Sequence, residues 1–186
     1  STVCIIVVSI IGVYMIRVSG SLIEDMPKGK QFYKDILFFE QEFGGIMPLE
    51  ILIDTKRKKG VMNLATLKRM NKLDEEIDEI PELSKSISIL NMVKYSKQAF
   101  YNGNPKYYQL PTEQEKNFIL AYTKNSDATS DQLKNFVDST GQYARITTFM
   151  KDIGTDKMES IELRIKEKIE QVFPSERSDV SLTGKA

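Results

Sequence analysis

Histidine and tryptophan are absent from this chain of 186 residues, and it has a single cysteine, Cys4. Without histidine there is no imidazole to bind zinc or to act as the base beside a serine or cysteine nucleophile. A lone cysteine cannot form a disulfide within the chain. We therefore expect no enzymatic activity, no catalytic residues, no cofactor and no metal.

Neither sign of charge dominates, because 26 Lys and Arg residues balance 26 Asp and Glu residues. Domains that bind nucleic acid usually carry a basic excess, so no nucleic-acid partner is expected. Glycine-rich phosphate cradles are missing as well, since Gly44-Gly45 has the spacing of neither a Walker loop nor a dinucleotide fingerprint. The composition, 41% hydrophobic and 28% charged, is that of a folded domain.

Long apolar stretches are limited to residues 2–16, which end before Arg17. This run is shorter than the roughly 20 residues that cross a bilayer. It is either the outer part of a spanning helix or a buried helix or strand of a soluble domain. We adopt the first interpretation and predict a truncated transmembrane helix over 1–19, then an exit loop and connecting helix over 20–47.

Hydrophobic periodicity predicts an α+β domain over residues 48–186. The predicted elements are strands over 48–55, 84–89, 143–150 and 178–183 and helices over 32–43, 63–80, 90–101, 112–123, 129–141 and 155–173. From residue 48 the order is βαβ, a helical insertion over 90–141, and βαβ again. Two βαβ halves are typical of the split ferredoxin-like fold, with an antiparallel sheet and helices on one face.

Two charged runs are interpreted as solvated surface. Lys56-Arg57-Lys58-Lys59 would need aromatic or basic companions to bind nucleic acid or lipid headgroups, and none follows in sequence. The acidic residues within 74–79 have no histidine and no recurring carboxylate spacing, so an exposed helix face is favoured over a metal site.

The string FFEQEFGGIMPLEILIDT over residues 38–55 resembles the opening of a periplasmic porter domain of the RND superfamily of exporters, in the branch with MMPL and Patched-like proteins. The resemblance covers nearly the whole chain and is closest to the second porter domain of such proteins. Its other parts are LSKSISI at 83–89, Val93-Lys94, QLP at 109–111, YARIT at 143–147, DIG at 152–154 and VSLTG at 180–184.

This resemblance implies that residues 48–186 are a porter domain that helps to move lipids or other hydrophobic or amphiphilic cargo, driven by an ion gradient. It implies a location in the inner membrane of a bacterium, with the domain on the periplasmic side. The implied partners are the bilayer, the remaining transmembrane and porter domains of the transporter, the cargo and, as one alternative, a second copy in a homo-oligomer.

Two groups of residues are candidates for roles in such a domain. Gly44, Gly45 and Pro48 are expected to form a structural hinge that turns the backbone from the helix into the first strand. The aromatic residues of the insertion are candidates for the cargo passage, with packing inside the domain as the alternative. They are Phe100, Tyr101, Tyr107 and Tyr108.

A function of another class stays open. With residues 2–16 as its single anchor, the chain would be a membrane-anchored extracytoplasmic sensor or ligand-binding domain.

Overall fold

The computed structural model describes residues 26–125 and 133–184 together with positions 6, 9, 20 and 23, and for residues 122–125 it describes the backbone only. This part of the chain is a mixed α+β structure with five α-helices, one 3-10 turn and a small antiparallel sheet. The elements are α1 (Gln31–Phe43), β1 (Met47–Asp54), α2 (Leu64–Asp78), α3 (Ile89–Phe100), a 3-10 turn (Pro105–Tyr107), α4 (Lys116–Asn125), β2 (Tyr143–Met150), α5 (Thr155–Val172) and β3 (Asp179–Thr183).

The sheet has three strands in the order β2-β1-β3, so the first strand in the chain lies at its centre. β1 pairs antiparallel with β2 along its whole length, from Met47 opposite Met150 to Asp54 opposite Tyr143. β3 pairs with the second half of β1 only, from Glu50 to Asp54. Alternate residues of β1 are buried, as expected for a strand with one face on a core.

One hydrophobic core joins the buried faces of β1 and β2 to the apolar stripes of α2, α3 and α5. Ile51, Ile146, Leu67 and Ile165 in this core are fully inaccessible to solvent. Burying each such side chain contributes about 1.5–3 kcal/mol. The core therefore holds the sheet and its helices together, and it includes residues of α3, the first helix of the insertion.

The helix starts follow the local sequence. The Asn63 side chain accepts a hydrogen bond from the Ala65 N–H at the start of α2. Ahead of α4, Thr112 and Glu115 exchange the two bonds of a capping box: the Thr112 N–H donates to Glu115 Oε2 over 2.8 Å, and the Glu115 N–H donates to Thr112 Oγ1 over 3.3 Å. The first turns of α2 and α4 are thus fixed by the side chains that precede them.

The α+β class is confirmed, and so are most of the predicted elements. Strands β1, β2 and β3 and helices α1, α2, α3 and α5 begin and end within two residues of the predicted bounds. Helix α4 starts four residues later than predicted, at Lys116, because the capping-box residues stand ahead of its first turn.

The predicted strand over 84–89 is wrong. This segment makes two isolated bridges to β2, Leu83 with Met150 and Ile87 with Thr147. Between the bridges Ser84 bonds through its side chain, since the N–H of Phe149 donates to Ser84 Oγ over 2.9 Å. A serine hydroxyl that replaces a backbone carbonyl in this way interrupts the regular ladder.

The helix predicted over 129–141 lies partly outside the described residues, and in the described part it is helical only at Leu133. The chain then turns, and Val137 forms a bridge with Ala144 of β2. Further on, the Asp138 carboxylate accepts bonds from the backbone N–H groups of Thr140, Gln142 and Tyr143 and fixes the turn into β2.

The transmembrane helix predicted over 1–19 lies outside the described residues, apart from Ile6 and Ser9, which are helical. Among the helices that the structure describes, none combines the length and the apolar character needed to span a membrane. From the exit segment, the N–H of Ile23 donates to Asp152 Oδ2 over 2.6 Å, which ties this segment to the loop after β2.

Candidate functional site

The aromatic side chains at the far end of α3 meet those of the following turn and of α4. Ring centroids are 5.1 Å apart for Phe118 and Phe100, 5.4 Å for Phe100 and Tyr101, and 4.1 Å for the stacked pair Tyr101 and Tyr107. We call these four residues the aromatic row. Phe100 and Phe118 are 46% and 42% exposed, so one end of the row faces solvent.

A buried ion pair holds the insertion together beneath the aromatic row. Lys97 Nζ on α3 lies 2.8 Å from Glu115 Oε2, and the two side chains are only 3% and 14% exposed. Lys97 Nζ also donates to the carbonyl of Leu110 over 3.2 Å, and the Tyr101 hydroxyl donates to Glu115 Oε1 over 2.7 Å. These bonds satisfy both charges, as burial requires.

The ion pair also sets the acidity of its members. The hydrogen bond from Lys97 is the main cause that lowers the pKa of Glu115 to about 2, with help from the Thr112 N–H. The bond to the Glu115 carboxylate raises the pKa of the Tyr101 phenol. Glu115 is therefore a stable anion at neutral pH and an unsuitable general base.

Tyr108 lies apart from the aromatic row. Its ring meets Tyr95 edge to face, with centroids 4.8 Å apart, and Lys94 Nζ lies 6.0 Å from its centre. Tyr108 borders a groove of about 580 Å³ between α2 and the segment before α4. Lys68, Glu75 and other polar residues line most of this groove, which makes it a poor passage for apolar cargo.

The structure thus brings together three of the four candidate passage residues and separates the fourth. Phe100, Tyr101 and Tyr107 stand in the aromatic row, whereas Tyr108 does not. Sequence reasoning missed Phe118 and Tyr95, which are their partners. The capping box could have pointed to Phe118, because it sets the start of α4 and brings that helix to the end of α3.

The expected hinge residues lie at the end of α1 and the start of β1. Gly44 caps the helix in the left-handed conformation, with φ of 76°. A Cβ on Gly45 would stand 2.5 Å from the carbonyl carbon of Met150, so this glycine lets β1 approach the end of β2. Pro48 lies in β1 ahead of the part that β3 covers, where a missing N–H is tolerated.

Helix α1 contributes no buried residue to the domain. Its phenylalanines Phe32, Phe38, Phe39 and Phe43 are between 53% and 64% exposed, and Phe39 stacks on Phe43 with centroids 5.3 Å apart. We call these four residues the α1 apolar face. The Glu40 carboxylate accepts a 2.7 Å bond from the Asp152 N–H, which joins the helix to the loop after β2.

The acidic residues of α2 are engaged in other ways than metal binding. Asp74 is buried and bonds with Ser86 and Lys94, and Glu76 pairs with Arg164 and Lys168 of α5. Among the described residues no three side chains of histidine, cysteine, aspartate or glutamate come together as a metal-ligand set.

No protein-family model matches this chain, and a search of curated proteins finds no significant match.

Proposed function

We propose that this chain is the extracytoplasmic porter domain of an RND-type exporter, one part of the passage for lipid or other amphiphilic cargo. The observation that carries the proposal is the α1 apolar face. Single exposed hydrophobic residues are common, but four phenylalanines on one short helix mark a surface that another structure covers. In the proposed exporter, the neighbouring porter domain or the transmembrane helices cover it.

The connection from α1 to the sheet supports a mechanical role. Helix α1 ends in Gly44 and Gly45, and Gly45 lies against the backbone at the end of β2. Movement of α1 relative to the sheet would therefore act on the paired ends of β1 and β2. We infer that this junction transmits the motion of the membrane helices to the domain.

The finer topology belongs to the same proposal. The bridges at Leu83 and Ile87 lie along β2, on the edge away from β1. If residues 83–87 are taken as an irregular fourth strand, the order becomes β3-β1-β2 and then this segment. That is the order of a split ferredoxin-like fold, with the insertion after the first βαβ half.

The first test is the sequence of the parent gene on both sides of the chain. Several apolar segments of roughly 20 residues and a second extracytoplasmic domain of similar layout are expected. A reading frame confined to this domain and one anchor would overturn the exporter and favour the membrane-anchored sensor.

A second test measures coverage of the α1 apolar face in the full-length protein in its membrane. Phe39→Cys and the control Leu163→Cys, on an α5 residue that is 54% exposed, are labelled with a maleimide in a background from which Cys4 and every other cysteine have been removed. We expect labelling at position 39 to be at least about tenfold slower because the face is covered. Equal rates would show that nothing covers α1 and would contradict the proposal.

A further inference from the structure

A cleft of about 560 Å³ opens where β1 ends, α2 begins and the chain passes from α5 to β3. Four cationic side chains from three separate segments line it. Lys56 and Arg57 come from the loop after β1, Arg69 from the second turn of α2, and Arg177 from the turn before β3. Glu176 is the one carboxylate among the lining residues. We call this feature the basic cleft.

The arginines of the basic cleft are available to a ligand. In the part of the chain that the structure describes, no carboxylate lies within ion-pair distance of Arg57, Arg69 or Arg177. Some acidic residues of α2 and α5 are paired with other cations: Asp74 with Lys94, Glu76 with Arg164 and Lys168, and Glu162 with Lys166. The four cations of the cleft outnumber its one carboxylate, Glu176, and this local excess of positive charge favours the uptake of an anion.

The loop that carries Lys56 and Arg57 is held in place. The Thr55 hydroxyl donates to the carbonyl of Gln142 over 2.8 Å, and the N–H of Lys59 donates to the carbonyl of Thr140 over 2.9 Å. Lys56 Nζ reaches the carbonyl of Ser175 over 2.7 Å and so joins this loop to the turn that carries Arg177. The backbone that carries Lys56 and Arg57 is therefore fixed before a ligand binds, which lowers the ordering cost of binding.

We propose that the basic cleft binds a phosphate ester. One guanidinium group can donate two parallel hydrogen bonds to two oxygens of a phosphate. The cleft has three arginines, which is more than a ligand with a single carboxylate would require. The Thr66 hydroxyl and the side-chain amide NH2 of Asn63 line the cleft as further donors. Its volume lies within the range of small-molecule sites and accommodates a phosphate with a glycerol-sized substituent.

The basic run Lys56-Arg57-Lys58-Lys59 is an exposed loop, as predicted, and two of its residues also line the basic cleft. The missing companions are present, but they are distant in sequence: Arg69 follows on α2, and Arg177 comes after α5. The inference does not depend on the exporter proposal, because a sensor with the same cleft would bind the same group.

The test measures the affinity of the full chain for two monomeric probes, glycerol 3-phosphate and dihexanoylphosphatidylglycerol, by titration calorimetry. The variant R69Q/R177Q is compared with K28Q/K85Q, which loses the same charge at exposed lysines that do not line the cleft. We expect the first variant to bind at least about tenfold more weakly and the second to stay within about twofold of the parent chain. Circular dichroism checks that both variants fold.

The two probes identify the source of the phosphate. Binding of glycerol 3-phosphate points to a soluble ester, and binding of dihexanoylphosphatidylglycerol alone points to a lipid headgroup; either supports the site if R69Q/R177Q abolishes it. Absence of binding of both probes at millimolar concentration would overturn the proposal, and so would equal losses in the two variants, since those would reflect net charge only.

Discussion

At the scale of single residues, the insertion depends on one charged contact. Lys97 and Glu115 are both removed from solvent and satisfy each other together with Leu110, Thr112 and Tyr101. Removing one member of such a pair leaves the other charge buried and uncompensated. The orientation of the aromatic row therefore depends on the Lys97–Glu115 ion pair, which contributes no apolar surface to the row.

Glu115→Gln should lower the free energy of unfolding by about 3–5 kcal/mol, because Lys97 then stays buried without its counterion. Glu113→Gln is the matched control two positions away. Its partners Lys68 and Lys116 are exposed, so we expect a loss of about 0–1 kcal/mol. Urea unfolding followed by circular dichroism measures both, and equal losses would contradict a special role for the buried pair.

The same pair predicts a dependence of stability on pH. Because the pKa of Glu115 is lowered from 4.5 to about 2 by folding, protonation favours the unfolded state. Its contribution is complete above about pH 4.5 and is lost as the pH falls toward about 2. The difference in stability between the parent chain and Glu115→Gln should therefore shrink over that range in acid titrations. A constant difference would show that the carboxylate does not titrate as described.

At the scale of elements, the junction between α1 and β1 requires close approach of two backbones. Gly45→Ala should cost about 1–3 kcal/mol, because the added Cβ would collide with the Met150 carbonyl group at 2.5–2.6 Å. Gly29→Ala is the control, since no heavy atom lies within 4 Å of its Cβ position, and we expect a change within about 0.5 kcal/mol. Thermal unfolding of the two variants gives the comparison, and a tolerated alanine at position 45 would refute the close approach.

Two adjacent residues of α5, Arg164 and Ile165, allow the charged and the apolar contributions to stability to be compared. Ile165 is fully buried, and Ile165→Ala should cost about 2–5 kcal/mol. Arg164 is 45% exposed, although it contacts both Glu76 and Glu79 of α2. Arg164→Ala should cost about 0–1 kcal/mol, because exposed ion pairs contribute little. Denaturant midpoints show which variant loses more stability. A larger loss for Arg164→Ala would show that the ion pairs stabilise the α2–α5 contact more than the buried isoleucine does.

Periodicity predicted the elements whose side chains meet one continuous core. The stripe of α2, the alternation of β1 and β2 and the spacing in α5 each reflect burial on one face, which is why their bounds follow from sequence. The alternation over 84–89 misled because its serines do not merely face solvent: Ser84 and Ser86 bond to Phe149 and Asp74. The partners Phe118 and Arg177 are specified by tertiary folding, which local patterns do not reveal.

At the scale of the whole molecule, zero net charge hides an uneven distribution. Glu76 of α2 is paired with Arg164 and Lys168 of α5, whereas Arg57, Arg69 and Arg177 of the basic cleft form no ion pair among the described residues. A net charge of zero therefore argues against a long-range electrostatic field around the molecule. It gives no information about anion binding at one local site.

The proposed location predicts which side of the membrane the domain faces. Lys58 is exposed beside the basic cleft, so Lys58→Cys, in a background from which Cys4 and every other cysteine have been removed, should react in intact cells with a sulfonated maleimide that does not cross the inner membrane. Ile165→Cys, at a fully buried position, should stay unlabelled until the protein is denatured. Labelling of position 58 only after the inner membrane is permeabilised would place the domain in the cytoplasm.

The central position of β1 in the sheet also affects folding during synthesis of the chain. Its partner strands begin at Tyr143 and Asp179, so β1 leaves the ribosome long before either can pair with it. At roughly 5–20 residues per second, β1 waits on the order of ten seconds with both edges unpaired. An apolar strand in that condition is prone to pair with other chains. The yield of folded domain should therefore depend on what shields β1 during synthesis more than on the stability of the finished sheet.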